Sequence, residues 1–202
     1  MNDDAIIVKA ARLIISGGTI VYPTETVYGI GASVSNSASV ERVFEIKRRP
    51  KTMPISVAIS SFKMLMDVAE IDPGDLFILG RLLPGPVTVL VKGRRSLPDV
   101  LTAGSSHVGI RYPDHELTRR LIEIAGPITS TSANLTGSPS PDKVEEIEPQ
   151  IIKTVDMVID GGRCRIGEAS TVFDLESKKI LRRGAGIDRV LELIKQGCIG
   201  AD

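Results

Sequence analysis

The chain has 202 residues, 42% of them hydrophobic and 25% charged, the balance of an ordinary soluble globular protein with room for one domain and a substantial core. Its 25 basic and 25 acidic residues cancel, so affinity for a polyanion has to come from a local patch and not from a whole-molecule field. No apolar run approaches the roughly 20 residues that span a bilayer. The acidic start Met1-Asn2-Asp3-Asp4 is unlike a secretory leader, and Cys164 and Cys198 have neither metal-site nor disulfide spacing. The expectation is a cytoplasmic protein with no membrane partner, no protein-held metal, and a single domain over residues 1–202.

Apolar residues at Ile6, Ala10, Leu13 and Ile14 predict a first helix over 6–15, with Asn2 to Asp4 as capping residues and Gly17-Gly18 as its stop. A short strand Thr19 to Tyr22 ends at Pro23, and Gly29 and Gly31 read as a glycine-rich turn. The spacing of Val40, Val43, Phe44 and Lys47 predicts a helix over 37–47, which Pro50 closes. Alternation of Ile55, Val57 and Ile59 predicts a strand. Helices follow around Met64 to Val68 and Asp75 to Leu83, and after Pro84-Gly85-Pro86 comes the β-branched run Val87 to Val91. A strand Val108 to Tyr112 leads to a helix carrying Leu117, Leu121, Ile122 and Ala125. Ile128 to Ser140 reads as a small-residue loop, and Ser138 to Pro149 as a surface loop with a short helix. Val155 to Ile159, Thr171 to Leu175 and Lys179 to Arg182 read as strands before a closing helix over 187–195. Helices and strands mix without a strict βαβ period, which predicts a mixed, twisted α/β sheet with flanking helices.

Familiar phosphate signatures are missing: there is no GxxxxGK[ST] loop, and Gly29-Ile30-Gly31 lacks a third glycine. His107 and His115 are too isolated for a metal centre or a triad. Four polar clusters at predicted strand or helix ends remain. Tyr22 to Gly29 packs hydroxyls and the Glu25 carboxylate into one turn. Lys47-Arg48-Arg49-Pro50-Lys51 places Lys47 and Arg49 where a helix unwinds, so that both could grip a phosphate chain. Ser130 to Gly137 is rich in hydroxyls suited to an anion. Gly167 to Asp174, followed by Leu181-Arg182-Arg183-Gly184, adds hydroxyls and cations, and Arg111 ends a strand as one more cation. Each cluster alone also reads as an ordinary loop or a solvated helix end. Jointly they supply hydroxyls and cations but no nucleophile and no tuned base, which suits nucleotide-dependent activation of a small polar substrate by positioning and electrostatics.

In this order the clusters resemble the YrdC/Sua5 family of L-threonylcarbamoyladenylate synthases. Tyr22 to Gly29 is similar to its opening signature, Lys47-Arg48-Arg49-Pro50 to its KxR motif, Leu83 to Thr88 to LxPGPxT, Ser132 to Gly137 to SANxSG with Thr136 for serine, and Ser170-Thr171-Val172 to STV. The resemblance covers about residues 5 to 195 and the short form of the family. It implies a YrdC-like, DHBP synthase-like fold, with ATP, L-threonine and bicarbonate as substrates and Mg²⁺ entering with ATP. It places Lys47 and Arg49 at the triphosphate as the catalytic pair, and Ser132, Asn134, Ser140 and Arg182 around the nucleotide. Thr26, Arg111, Ser130 and Ser170 are implied to hold threonine. The implied product passes to a downstream threonylcarbamoyl transferase complex that modifies tRNA. Ala58 stands where many members carry histidine, and His107 where threonine is common. The competing reading is a double-stranded RNA or tRNA-binding module without catalysis, lined by Lys47 to Lys51, Lys92 to Arg95 and Lys178 to Arg183. Zero net charge and 3% aromatic residues argue against it.

Overall fold

The computed structural model describes residues 3–199. Helix α1 (Asp3–Ile15) ends where the Gly17 and Gly18 amides bond back to Ile14 and Leu13; the Asn2 part of its expected cap lies outside the described residues. The strands are β1 (Ile20–Tyr22), β2 (Gly29–Gly31), β3 (Ser56–Ala58), β4 (Gly85–Lys92), β5 (His107–Tyr112), β6 (Ile128–Ser132), β7 (Met157–Val158), β8 (Thr171–Asp174) and β9 (Ile180–Arg182). The remaining helices are α2 (Ser37–Lys47), α3 (Phe62–Val68), α4 (Leu76–Leu82), α5 (Asp99–Thr102), α6 (Glu116–Ala125), α7 (Pro149–Thr154) and α8 (Ile187–Lys195). The strands run β7-β1-β2-β6-β3-β5-β4-β8-β9. Pairs β1/β7, β3/β5 and β4/β8 are parallel and the others antiparallel, so the sheet is mixed, as expected.

Several expected boundaries change, each for a physical reason. The glycine-rich turn is strand β2, because its two glycines leave room for the Tyr22 ring of the neighbouring strand. A Cβ at Gly29 or Gly31 would lie 3.0 Å from that ring. The small-residue loop begins as strand β6, since Ile128 to Ser132 finds partners on both sides, in β2 and β3. Buried Thr129 is satisfied there by the Ile30 carbonyl at 2.9 Å and the Ala32 amide at 3.0 Å. The strands expected over 55–59 and 155–159 shrink to Ser56–Ala58 and Met157–Val158. The helix expected from Asp75 starts as a 3₁₀ turn at Pro73–Asp75. Helices α5 and α7, with 4 and 6 residues, are too short to show a helical period.

Period-two alternation gives the sheet two unlike faces. On one face Val21, Ile30, Val57, Val87, Val89, Val91, Val108, Ile110 and Phe173 form a core with α2, α4 and α8, which supply Val40, Val43, Phe44, Leu79, Leu82, Val190 and Leu193. On the other, α1 and α6 pack together over Ile20, Tyr22, Ala58 and Ile128. These two helices cover only the β1–β3 side of that face. The rest of that face, together with the ends of β6 and β3, is uncovered and forms a cleft.

Candidate active site

The cleft holds about 420 Å³ and follows the alternation of the sheet. Strand β5 contributes His107, Gly109 and Arg111, with Val108 and Ile110 turned to the core. Strand β4 adds Thr88 and Leu90, β6 adds Ser130 and Ser132, and β3 adds Ser56. Ser170 and Val172 come from β8 and its lead-in, Arg182 from β9, Thr24 and Thr26 from the loop after β1, and Arg49 from the segment after α2. Gly109 forms the floor: a Cβ there would meet the Ser56 hydroxyl at 2.5 Å.

Of the residues singled out in the sequence, Thr26, Arg49, Arg111, Ser130, Ser132, Ser170 and Arg182 share this one cavity. Lys47, Asn134 and Ser140 do not line it. Arg48 explains why Lys47 and Arg49 diverge. It caps α2 in the left-handed region (φ 49°), and that kink turns Lys47 toward the β6 end and Arg49 toward the cleft. Lys47 is 2% exposed, and its ammonium donates to the Ser132 carbonyl, to the Asn134 carbonyl at 2.7 Å and to Asn134 Oδ1 at 3.4 Å. In return its own carbonyl accepts from the Thr136 amide at 3.0 Å. Lys47 is thus a staple between α2 and the Ser132–Thr136 segment. Asn134 completes the staple by accepting from the Ser132 hydroxyl and donating to the Ser138 carbonyl at 2.6 Å. Ser140 precedes Pro141, whose carbonyl takes the Tyr28 amide at 2.9 Å and ties this loop to the first signature.

The cations feel one another. Burial, and then the Arg182 charge, lowers the Arg49 pKa, and burial followed by Arg111 does the same to Arg182. Arg49 donates to the Met53 and Pro54 carbonyls, both at 2.9 Å, and Arg182 to the Ser170 carbonyl at 2.8 Å and the Ser170 hydroxyl at 3.3 Å. Among the described residues, neither guanidinium meets a carboxylate. Arg111 differs, being paired with buried Glu25 at 2.8 Å. The cleft therefore has an uncompensated cationic end and a charge-paired, hydroxyl-lined end, where Thr88 and Ser170 bond at 2.7 Å. Burial raises Tyr22 and Tyr28 to about 12, so neither phenol ionises near neutral pH. His107 lines the cleft and meets Glu176 at 2.5 Å, whereas Ala58 is buried beneath α1 and α6. Sequence reasoning named Glu25 only as part of a cluster, and its pairing across to β5 left no local signal.

Burial, and then the Arg49 charge, lowers the Lys47 pKa from 10.5 to about 7. Between those values the unfolded chain holds a proton that the folded chain has released, so stability rises with pH across that window. The penalty of burying the ammonium is fully present below about pH 7. Urea midpoints measured from pH 7 to 9.5 are expected to climb more steeply in the parent than in Lys47→Met. Parallel profiles would contradict the shift.

A mixed sheet with one face half covered, and a cleft of arginines and hydroxyls on the remainder, defines an α/β protein of YrdC-like fold. The Sua5/YciO/YrdC family profile, described as "Telomere recombination", matches residues 12–184. Threonylcarbamoyl-AMP synthase of Pyrococcus abyssi is 39% identical over 181 residues, covering 88% of this chain and 53% of that protein. The enzyme of the same name from Xanthomonas euvesicatoria is 32% identical over 186 residues, covering 90% of this chain and 100% of that one. A crystal structure of P. abyssi Sua5 complexed with L-threonine matches with a TM-score of 0.87 at 36% identity, covering 95% of this chain and 58% of the other. This chain spans about half the length of the Pyrococcus relative and the whole of the Xanthomonas one. It belongs to the Sua5/YciO/YrdC family.

Proposed function

We propose that this chain forms L-threonylcarbamoyl-AMP from L-threonine, bicarbonate and ATP, releasing pyrophosphate. The observation that carries the proposal is the pair Arg49 and Arg182, two guanidiniums in one cleft with no carboxylate partner among the described residues, next to the hydroxyl-lined surroundings of Arg111. Relatives of that name at 32–39% identity, and a threonine-bound relative, support it.

Bicarbonate takes up a proton and loses water to give CO₂, and the threonine amine loses protons as it takes up that CO₂ to give a carbamate. A carbamate oxygen attacks the α-phosphorus of ATP, and the bond from that phosphorus to the bridging oxygen breaks as pyrophosphate departs. Magnesium arrives with the triphosphate. In-line transfer of this kind needs charge stabilisation and alignment more than a nucleophile from the protein. Arg49 and Arg182 attract the triphosphate, with Ser132 near it and Lys47, Asn134 and Ser140 holding the shape of that wall. Thr26, Ser130, Ser170 and Arg111 receive threonine, whose carboxylate the guanidinium charge of Arg111 attracts. The adenylate then passes, in the cytoplasm, to a threonylcarbamoyl transferase complex that modifies tRNA.

No helix among the described residues is long and apolar enough to cross a membrane. Lys51, Lys92 and Lys178, which the RNA-binding reading uses, are paired with Glu41, Glu70 and Asp75 at 2.7–3.1 Å. That local neutralisation favours the catalytic reading. A pyrophosphate-release assay with ATP, Mg²⁺, bicarbonate and threonine, omitting each in turn, tests it. Release is expected to require all four. Release that ignores threonine excludes this enzyme, and RNA affinity without turnover supports the binding module.

A further inference from the structure

The segment Thr24–Thr26 is a wall between two cavities. On one side is the cleft. On the other is a cavity of about 230 Å³ lined by Glu25, His115, Cys164 and Arg165, among others. Glu25 sits inside the wall, 1% exposed. Its Oε1 accepts from Arg111 Nη2 at 2.8 Å, while its buried Oε2 has no protein partner. Arg111 is gripped from the opposite side as well. Its Nη1 donates to the carbonyls of Gly85 and, at 3.0 Å, Val87, and Nη2 also reaches Thr26 Oγ1 at 3.4 Å. The β4 carbonyls alone would leave the guanidinium free to pivot about one edge. A second hold at Nη2 fixes its plane. Arg111 itself is 4% exposed, so its orientation decides which part of it the cleft sees.

We propose that Glu25 is the positioning residue for Arg111: it holds the guanidinium in the plane that receives the amino-acid carboxylate and so sets affinity for the amino acid and not for the nucleotide. This inference rests on the reading of the Arg111 end as the threonine site. The reach of the side chain matters more than its charge, because the contact that locks the plane is a single oxygen on Nη2. Glu25→Asp retracts that oxygen by one methylene and keeps the charge. Glu25→Gln keeps the reach and loses the charge.

The test uses the full chain and follows KM for threonine and for ATP in pyrophosphate release, with calorimetric titration of L-threonine alone as a readout independent of turnover. Glu25→Asp is expected to raise KM and Kd for threonine about tenfold and to leave KM for ATP within about twofold. Glu25→Gln is expected to stay within about threefold of the parent in both. The reverse pattern, with Asp harmless and Gln damaging, makes Glu25 a charge compensator and overturns the proposal. Equal losses for threonine and ATP in both variants make it a general structural residue and also overturn it, as does an unchanged threonine Kd in Glu25→Asp. A parent that binds no threonine by calorimetry and shows no threonine-dependent release refutes the functional reading first, before any variant is compared.

Discussion

Alanine in place of both Arg49 and Arg182 is expected to abolish measurable turnover while the protein stays folded. A charge-assisted contact contributes about 1.5–3 kcal/mol, so each single replacement should lower kcat/KM for ATP by roughly 10- to 150-fold. The double variant need not show the product of the two losses. Each guanidinium depresses the proton affinity of its neighbour or is depressed by it, so removing one relieves the other before any ligand arrives. Threonine affinity should move little in Arg49→Ala, which leaves the paired Arg111 end intact, and more where Arg182 is replaced, since its Nη2 also donates to the Ser170 hydroxyl at 3.3 Å. Without ligand, the variants lose bonds to the carbonyls of Met53 and Pro54, or to the carbonyl and hydroxyl of Ser170, and gain relief from like charge. The unfolding midpoints should therefore stay close to the parent. Lysine at either position keeps charge but not the planar fork, and should recover only part of the loss. Steady-state kinetics in which the folded double variant keeps ATP turnover within threefold would remove the basis of the proposed function.

The second large effect falls on stability. Phe173 is fully buried at the centre of β8, facing the core between β4 and β9. Phe173→Ala is expected to destabilise the protein by about 3–5 kcal/mol, the lost transfer energy plus the cavity left behind. Against a total of roughly 5–15 kcal/mol this takes a large share of the margin. The loss should also reach the cleft, because β8 and its lead-in carry Ser170 and pair with the strand that holds Arg182. Saturating MgATP should restore part of the midpoint, since a ligand that binds only the folded state stabilises it by mass action. Urea unfolding with and without nucleotide checks both parts. A shift below about 1 kcal/mol would show that this strand is not held from its core side.

Helices with a complete apolar stripe were legible: α2 over Ser37–Lys47 and α8 over Ile187–Lys195 coincide with their sequence spacing. Strands with β-branched alternation, such as β5, were equally plain. The hidden elements are those whose stabilising partners are distant in sequence. Gly-Ile-Gly has no side-chain pattern, yet it is a strand because Tyr22 packs against its glycines. Thr129 to Ser132 looks like a hydroxyl-rich loop, yet it pairs on both sides. In the cleft, the identities of most wall residues could be read from motif order. The division of labour between neighbours could not. Nothing in Lys-Arg-Arg-Pro says that the lysine turns toward a loop and the second arginine toward the cavity, because that choice is made by one left-handed residue between them. The Glu25–Arg111 pair joins residues 86 positions apart.

Because one sheet serves as both foundation and workbench, odd and even positions along its strands belong to different genetic classes. In β8 and its lead-in, changes at 171 and 173 should appear as losses of abundance in a cell, whereas changes at 170 and 172 should leave protein levels nearer normal and reduce output. A saturation library scored separately for expression and for product would thus oscillate with a period of two, out of phase between the two scores. The lining of the cleft can then vary over evolutionary time with little disturbance to the scaffold beneath it.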